Sequence, residues 1–343
     1  MENLIDGYIE YISGVKRYSA RTQQGYRDVL GDFRDYLLRE LDGDLLRGMS
    51  AQVLRGYEVY LMKERGLSAR SVGLYLSVLS SFAKYLMKKE LLSANPVRTV
   101  ARPKVPKRLP EFYRKDSIDS YFEQTRPYGT DTILDLLGPA AGSGSQEGTV
   151  AAPAADQATR ELYAKCLRRL IISILYNTGI RRSELISLDR GNFDPARRVL
   201  HVRGKGDKMR EIPLTPSLCE EILLYLKVLC RCGFDIDRQD SPLLLTPTGR
   251  RLYPQFVDKA VKQELGAVPG ISGRKSPHVL RHTIATELLD EGTDINSIKE
   301  LLGHSSLAAT QVYTHNSIDK LKKVYNQAHP RSKSPQKDQK DQG

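Results

Sequence analysis

Residues 276–282 read SPHVLRH and residues 301–315 read LLGHSSLAATQVYTH, which places histidines, an arginine and a tyrosine in one C-terminal segment. His278 and Arg281 are three residues apart, so a helix would put both on one face, within reach of the same small anion. A phosphoryl-transfer site without a metal must neutralise the phosphate with guanidinium and imidazole donors, and it needs a side-chain oxygen as nucleophile. The histidines and the arginine supply the donors, and Tyr313 supplies the oxygen. The segment therefore predicts metal-independent attack on a phosphodiester.

Two further motifs lie upstream of this segment, so that five motifs follow one another along the chain. In that order they are YNTGIRRSEL at 176–185, RGKGDKMREIPL at 203–214, H-x-x-R at 278–281, L-L-G-H at 301–304 and T-x-x-Y-T-H at 310–315. With these motifs the chain resembles the tyrosine recombinases, and within them the Xer and phage-integrase group. The resemblance covers nearly the whole chain and leaves out an insertion near 138–157 and the tail beyond 330.

The resemblance implies which residues act on DNA. The implied catalytic residues are Arg181, Lys205, His278, Arg281, His304 and Tyr313, with Glu184 in support. Tyr313 would attack the scissile phosphate, form a 3′-phosphotyrosine link to DNA and free a 5′ hydroxyl. The arginines would hold the non-bridging oxygens, the histidines would donate hydrogen bonds or move protons, and the lysine would protonate the leaving oxygen. Because the covalent link conserves the energy of the ester, the reaction would need no nucleotide or other cofactor, and the cationic side chains would take the place of a metal.

Taken without the motifs, several of these residues have an ordinary alternative role. Arg181 follows Gly179, whose conformational freedom permits a tight turn, but an arginine here is more often a solvated surface charge. Glu184 could hold an arginine or histidine in place, or could be a first-turn acid favoured by the helix dipole. Lys205 lies between two glycines of a predicted hairpin turn, where exposed lysines are common, and Lys208 is its rival in that turn. The motifs favour the catalytic interpretation of each.

The histidines have a competing interpretation as a metal site. Four of the six fall in the C-terminal segment, at His278, His282, His304 and His315. No cysteine lies near them in sequence, and the spacing of His278 and His282 lacks the glutamate that follows the first histidine in zinc proteases. We therefore predict no metal site, and we predict that His282 and His315 are not catalytic.

Composition favours a polyanionic partner without identifying one. The 343 residues hold 53 Lys and Arg against 41 Asp and Glu, a formal charge of +12. This excess suits double-stranded DNA, and a solvated basic surface is the alternative.

Cys166, Cys219, Cys230 and Cys232 lack a paired metal-ligand pattern, which is typical of a reducing intracellular setting. The sequence has neither a secretory leader pattern nor an apolar run of membrane-spanning length, so we expect a soluble, cytoplasmic, nucleoid-associated protein without a membrane partner.

Hydrophobic periodicity predicts a mainly α-helical fold with a small antiparallel β-sheet. Four N-terminal helices are expected at Leu4–Ile12, Ser19–Leu38, Ser50–Glu64 and Ser68–Leu92, with Ser19 and Ser68 as N-caps. Alternating segments at 198–202 and 210–214 predict a β-hairpin, and 242–245 predicts a short strand. Further helices are expected at 115–125, from 159 to 178, from 182, and at 216–229, 253–266, 279–290, 295–302, 306–310 and 317–327.

These elements suggest a division into domains. The resemblance implies a SAM-like, four-helix, core-DNA-binding clamp domain at 1–100 and a DNA breaking-rejoining catalytic domain at 112–328, joined by a basic linker at 101–111. Residues 138–157 are rich in Gly, Ala, Ser and Pro, which predicts a disordered insertion in the catalytic domain. Residues 329–343 are expected to form a flexible tail.

Two segments have predicted contacts outside their own domain. The linker carries the basic residues Arg102, Lys104, Lys107 and Arg108. These would follow a DNA backbone, with a simple spacer as the alternative. The helix at 317–327 would, by the resemblance, dock on a neighbouring subunit, and packing on its own chain is the alternative.

The predicted function is that of a site-specific tyrosine recombinase that cuts and rejoins double-stranded DNA as a homo- or hetero-tetramer on paired sites. The Xer resemblance favours resolution of chromosome or plasmid dimers, with a related recombinase and a DNA translocase as candidate partners. Integration, excision or inversion for a mobile element is the alternative within the family. A type IB topoisomerase would share the phosphotyrosine chemistry but would relax supercoils without pairing sites. A non-catalytic DNA-binding protein would need only the basic surface and would be indifferent to Tyr313→Phe.

Overall fold

The structure, a computed structural model, describes residues 2–104, 111–136, 157–204, 207–234 and 238–303. The chain divides into two units, Met1–Leu109 and Pro110–Gly343. Each unit encloses a hydrophobic core of its own.

The N-terminal unit is helical throughout its described part. Its helices are α1 (Glu2–Gly14), α2 (Ala20–Glu40), α3 (Leu45–Gly48), α4 (Ala51–Lys63) and α5 (Ala69–Lys88). Ser19, Ser50 and Ser68 each accept a hydrogen bond from the third backbone N–H of the helix that follows, so the predicted N-caps at Ser19 and Ser68 are confirmed. Phe33 and Leu37, which the helical spacing assigned to the apolar face of α2, are fully buried. The single turn of α3 was not predicted.

The end of α5 differs from the prediction. The helix stops at Lys88 rather than at Leu92. Glu90 adopts left-handed backbone with φ at 59°, and the Leu91 N–H returns to the Leu86 carbonyl. The same carbonyl also accepts the Lys89 N–H at 3.1 Å, so the chain closes the helix end with backbone bonds around the left-handed residue. No glycine or proline marks the turn, so the sequence carries no stop signal there.

The second unit is built around one buried helix. Its helices are α6 (Lys115–Gln124), α7 (Thr132–Leu136), α8 (Gln157–Thr178), α9 (Arg182–Ile186), α10 (Pro216–Arg231), α11 (Pro254–Gly266), α12 (Pro277–Asp290) and α13 (Ile295–Leu302). All residues from 169 to 178 of α8 are buried, and α10, α11 and α12 pack against this helix. No sequence pattern predicted α7, and α8 begins at Gln157, the last residue of the predicted insertion.

A small antiparallel sheet stands beside these helices, in the order β1 (Phe193–Asp194), β2 (Val199–Arg203) and β3 (Met209–Pro213). The predicted hairpin is confirmed, with Leu200 opposite Ile212. The predicted strand at 242–245 is wrong, because Pro242 and Leu245 form only isolated bridges to other segments. A proline cannot donate to a strand ladder, which disfavours a longer pairing there. The fold class, mainly α with a small antiparallel sheet, is confirmed.

Several predicted features lie outside the described residues. They are Lys107, Arg108, Lys205, His304, Tyr313, His315, residues 138–156, the helices at 306–310 and 317–327, and the tail. Within the described ranges, no helix is both long and apolar enough to cross a membrane.

Candidate active site

Arg181 stands at the junction between α8 and α9. Gly179, directly after α8, adopts φ at 60°, which turns the chain so that Arg181 becomes the residue that precedes α9. A Cβ at position 179 would collide with the side chain of Leu302, so the turn depends on glycine for space as well as conformation. About a third of the Arg181 side chain is exposed (35%), so its guanidinium is accessible to an anion from solvent.

Glu184 lies one turn into α9 and is surrounded by arginine donors. Its Oε2 accepts the backbone N–H of Arg181 at 2.8 Å, and its Oε1 accepts Nη1 of the same residue at 2.8 Å. Burial opposes the ionisation of Glu184, but hydrogen bonds from Arg210 and Arg181 outweigh this effect and lower its pKa. The carboxylate is therefore ionised at neutral pH and fixes both the backbone and the side chain of Arg181.

Arg210, on β3, is a site residue that the sequence analysis did not select. Its Nη1 donates to Oε1 of Glu184 at 3.1 Å, and its Nη2 donates to Oε2 at 2.8 Å. Both side chains are almost completely buried, at 7% and 5% exposure. The available signal was strand alternation, since Arg210 shares the inward face of β3 with Ile212. An arginine at an inward position of a strand requires a buried partner.

Arg281, on α12, is the most deeply buried of the predicted catalytic residues within the described ranges. Its guanidinium donates to the backbone carbonyl of Gly179 through Nη1, and to that of Leu302 through Nη2 at 2.6 Å. Burial, and then the positive charge of Arg181, lower the pKa of Arg281 to about 10. It therefore remains a cation at neutral pH.

His278 lies one helical turn before Arg281 and is exposed to solvent. Its ring centroid is 5.5 Å from that of His282. Partial burial, followed by the charges of His282, Arg281, Arg274 and Arg181, lowers the pKa of His278 below its ordinary value. At neutral pH the imidazole is therefore mainly neutral, with one nitrogen able to donate and the other able to accept a proton.

Both predicted catalytic arginines donate hydrogen bonds to backbone carbonyls at the end of α13. Nη2 of Arg181 donates to the Gly303 carbonyl at 2.8 Å, while Arg281 donates to the adjacent Leu302 carbonyl. Gly303 adopts φ at 66°, and a Cβ there would lie 3.0 Å from the Arg210 guanidinium. Two guanidinium groups, those of Arg181 and Arg210, bond the Glu184 carboxylate, and that of Arg281 interacts with it electrostatically. The excess positive charge makes the group suited to a phosphate.

Some of the predicted site residues lie close together in the structure, and others lie outside the described residues. Arg181 and Arg281 bind the end of α13, Glu184 bonds Arg181, and His278 is near enough to both arginines for their charges to lower its pKa. Lys205, His304 and Tyr313 lie outside the described residues. Lys208, the rival of Lys205, is exposed, and its carbonyl accepts the Gly204 N–H at 2.8 Å. Among the described side chains, no group of three His, Cys, Asp or Glu could hold a metal ion.

Two protein families match the chain. Residues 153–319 match the phage integrase family, and residues 5–90 match the N-terminal SAM-like domain of phage integrases. These ranges fall in the second and the first structural unit, respectively.

Curated relatives align with nearly the full chain. It is 34% identical to the tyrosine recombinase XerC of Bacillus pumilus (strain SAFR-032) over 336 residues, which cover 96% of this chain and 97% of the relative. It is 33% identical to the tyrosine recombinase XerC of Mycobacterium sp. (strain JLS) over 335 residues, which cover 97% of this chain and all of the relative.

Solved structures share the fold at lower sequence identity. The XerH site-specific recombinase bound to palindromic difH substrate, in a post-cleavage complex, superposes with a TM-score of 0.61 at 17% identity, covering 94% of this chain and 80% of that one. A lambda integrase dimer bound to a COC′ core site gives a TM-score of 0.58 at 16% identity, covering 94% of this chain and 77% of that one.

Proposed function

Because this chain belongs to the phage integrase family and is a site-specific tyrosine recombinase, we propose that it resolves dimers of a chromosome or plasmid as Xer recombinases do. The observation that carries the proposal is the alignment with relatives named XerC, which extends through both structural units. The predicted enzyme class, which breaks and rejoins DNA strands, is confirmed by family membership. Since the substrate is chromosomal or plasmid DNA, we place the activity at the nucleoid in the cytoplasm.

We propose that the two domains of the chain have different roles on DNA. The helical domain at 1–100 would hold the core DNA, and the domain at 112–328 would break and rejoin it. In the linker, Arg102 and Lys104 are exposed, which is consistent with contacts to phosphates. We assign the same role to Lys107 and Arg108 from their place in the sequence.

Arg181 and Arg281 would bind the non-bridging oxygens of the scissile phosphate. Among the described residues, each places two of its five N–H donors on protein acceptors, which leaves others to offer to the substrate. Because their protein partners are fixed, the guanidinium groups would need little reorganisation when negative charge develops on the phosphate. His278, mainly neutral and exposed beside them, would donate a hydrogen bond to the phosphate or take up a proton.

The remaining roles fall to residues outside the described ranges. Tyr313 would be the nucleophile, its phenol oxygen displacing the 5′ oxygen of deoxyribose and forming a 3′-phosphotyrosine ester. Lys205 would give a proton to that leaving oxygen. His304 is bonded directly to Gly303, whose carbonyl binds Arg181, and this connection supports a place for it beside the phosphate.

Strand exchange between two sites requires four cleavages, so we propose a tetramer on paired sites. Its members would be four copies of this chain, or two copies with two of a related recombinase. A DNA translocase is a further candidate partner, since chromosome dimers must be brought together at their recombination sites.

The test is to recover the DNA that becomes covalently attached to the protein in its own cells. Wild-type chain and the Tyr313→Phe variant would be isolated under denaturing conditions, and the attached DNA would be sequenced. We expect wild-type reads to concentrate at one short chromosomal or plasmid site, and the variant to yield none.

Other outcomes identify the alternatives. Reads at the ends of a mobile segment would indicate an integrase or invertase. Reads without site preference, with relaxed supercoils and no recombinant product, would indicate a type IB topoisomerase. Site-specific binding without any covalent attachment in the wild type would indicate a non-catalytic DNA-binding protein.

A further inference from the structure

Arg210 is a buried cation that none of the proposed catalytic steps uses. It lies on β3 with 7% of its side chain exposed, too little to offer a surface for DNA. Its bonds to Glu184 place it next to the candidate phosphate site without facing the substrate. A buried arginine beside an anion-binding site needs an explanation, because burying a charge is costly unless it is well paired.

We propose that Arg210 is a positioning residue for DNA cleavage, which shares the Glu184 carboxylate with Arg181 and so leaves Arg181 oriented and positively charged toward the phosphate. This inference rests on the proposed function.

The first support is the geometry of Glu184. A carboxylate offers about four acceptor positions, and here four hydrogen bonds fill them: two from Arg181 at 2.8 Å and two from Arg210 at 2.8 and 3.1 Å. The fork of Arg210 spans both oxygens, which sets the plane of the carboxylate. That plane in turn determines where Nη1 of Arg181 can donate.

The second support is the charge balance. Glu184 and Arg181 alone would form a neutral pair, which attracts a phosphate weakly. With Arg210 bound to the same carboxylate, the three residues carry one net positive charge. Attraction between opposite charges is stronger in a partly buried site than in water, so this difference acts where the scissile phosphate would bind.

The third support is the contact between Arg210 and Gly303. A Cβ on Gly303 would lie 3.0 Å from Cζ and Nη1 of Arg210 and 3.2 Å from its Nε. The carbonyl of Gly303 accepts Nη2 of Arg181. Arg210 therefore packs against both groups that fix the Arg181 side chain, Glu184 on one side and Gly303 on the other.

The test measures covalent complex formation in a single turnover on a nicked duplex that carries the recovered recognition sequence. Arg210→Met removes the charge but retains much of the volume of the side chain. We expect it to slow covalent attachment by about 100-fold, as expected for loss of one site of electrostatic stabilisation. Affinity for the duplex should stay within about threefold, because the whole duplex is held by many phosphate contacts and this charge acts on one of them.

The double variant Arg210→Met with Glu184→Gln tests the charge balance directly. It replaces the carboxylate that Arg210→Met leaves to neutralise Arg181 by a neutral amide, whose oxygen can still accept from Arg181, so we expect a partial recovery of about tenfold over the single variant. A merely structural role for Arg210 would give no such recovery.

Arg197→Met is the matched control. Arg197 forms the same two-bond pair with Glu211 on the same sheet, at 3.0 and 2.9 Å, but it is exposed. This variant should cleave at the wild-type rate. All rates would be measured well below the melting temperature of each protein, so that global unfolding does not contribute.

The outcomes separate this inference from the function on which it rests. If the wild type forms the adduct but Arg210→Met cleaves within threefold of it, or if the double variant is as slow as the single one, the positioning role is wrong and the proposed function stands. If the wild type forms no adduct on the recovered sequence, both are overturned.

Discussion

Arg181 and Arg281 are tied to adjacent peptide groups: Arg181 donates to the carbonyl of Gly303, and Arg281 donates to the carbonyl of Leu302. The arginines come from segments a hundred residues apart in the chain, yet one turn of backbone at the end of α13 fixes the spacing between them. The next residue is His304. A shift of this turn would therefore move both guanidinium groups together with the start of the segment that carries the proposed nucleophile.

The crowding at Gly303 can be tested by adding one methyl group. We expect Gly303→Ala to lose most cleavage activity, because the new Cβ would press on the Arg210 guanidinium and displace the carbonyl that Arg181 uses. The left-handed backbone at this position would add roughly 1 kcal/mol of destabilisation. Covalent complex formation and thermal melting would be measured together.

Gly292→Ala is the control for that experiment. Gly292 also has a positive φ, at 83°, but a Cβ there meets no atom within 4 Å. It should lose similar stability and retain activity. Equal activity losses in the two variants would contradict the role given to the Gly303 contact.

The neighbouring residues Arg181 and Arg182 should respond differently to the same conservative change. Arg181→Lys keeps the charge but cannot reach Glu184 and Gly303 together, so we expect cleavage to fall by about 100-fold with little change in DNA affinity. Arg182 forms an ion pair with the partly exposed Asp258, so Arg182→Lys should stay within a few fold of wild type. The measurement is the single-turnover cleavage rate of each variant. A comparable loss of rate in both would contradict a specific role for Arg181.

Glu287 should make the stability of the protein depend on pH. Burial raises its pKa from 4.5 to about 7, and its Oε2 accepts a hydrogen bond from Tyr176 at 2.6 Å. The folded state therefore binds more protons than the unfolded state between these two values. Protonated Glu287 therefore makes its full contribution to the free energy of unfolding below pH 4.5, and this contribution is lost as the pH rises through 7.

The Glu287→Gln variant should melt at a higher temperature than wild type at pH 8, with the difference narrowing toward pH 5. The exposed Glu123, which pairs with Arg126 at 3.6 Å and is not among the charges that act on Glu287, supplies the control variant Glu123→Gln, which should retain the wild-type pH dependence. If the difference in melting temperature between wild type and Glu287→Gln were the same at pH 5 and pH 8, the Glu287 carboxyl would not titrate as described.

A buried ion pair joins α8 to α10 in the second unit. Arg169 lies 3.1 Å from Glu221, and both are nearly inaccessible to solvent. Arg169→Met would leave the carboxylate without its cation, so we expect a loss of about 3–5 kcal/mol in the free energy of unfolding. Urea denaturation followed by circular dichroism would measure it.

The pair Lys165 and Glu161 on the same helix is exposed and provides the comparison. Lys165→Met should change stability little. Combining Arg169→Met with Glu221→Leu should recover part of the loss, because no buried charge then remains uncompensated. If Arg169→Met is no more destabilising than Lys165→Met, the pair contributes nothing.

The sequence predicted those features that depend on local patterns. Serine caps and apolar spacing located α2 and α5, and the motifs selected Arg181, Glu184 and Arg281. The pairing of Arg210 with Glu184 was missed because it joins a strand to a helix and depends on how the two pack. The carbonyls of Leu302 and Gly303 carry no side-chain signature, so their role as acceptors could not be read from residue types.

Direct attack of Tyr313 on the phosphodiester can be tested on one nicked duplex that carries the recovered site. Wild type and Tyr313→Phe would be incubated with it in excess EDTA and then separated under denaturing conditions. We expect a covalent protein–DNA adduct with wild type and none with Tyr313→Phe, although the variant binds the duplex equally well. An adduct formed by Tyr313→Phe, or a wild-type adduct that appears only with magnesium, would contradict it.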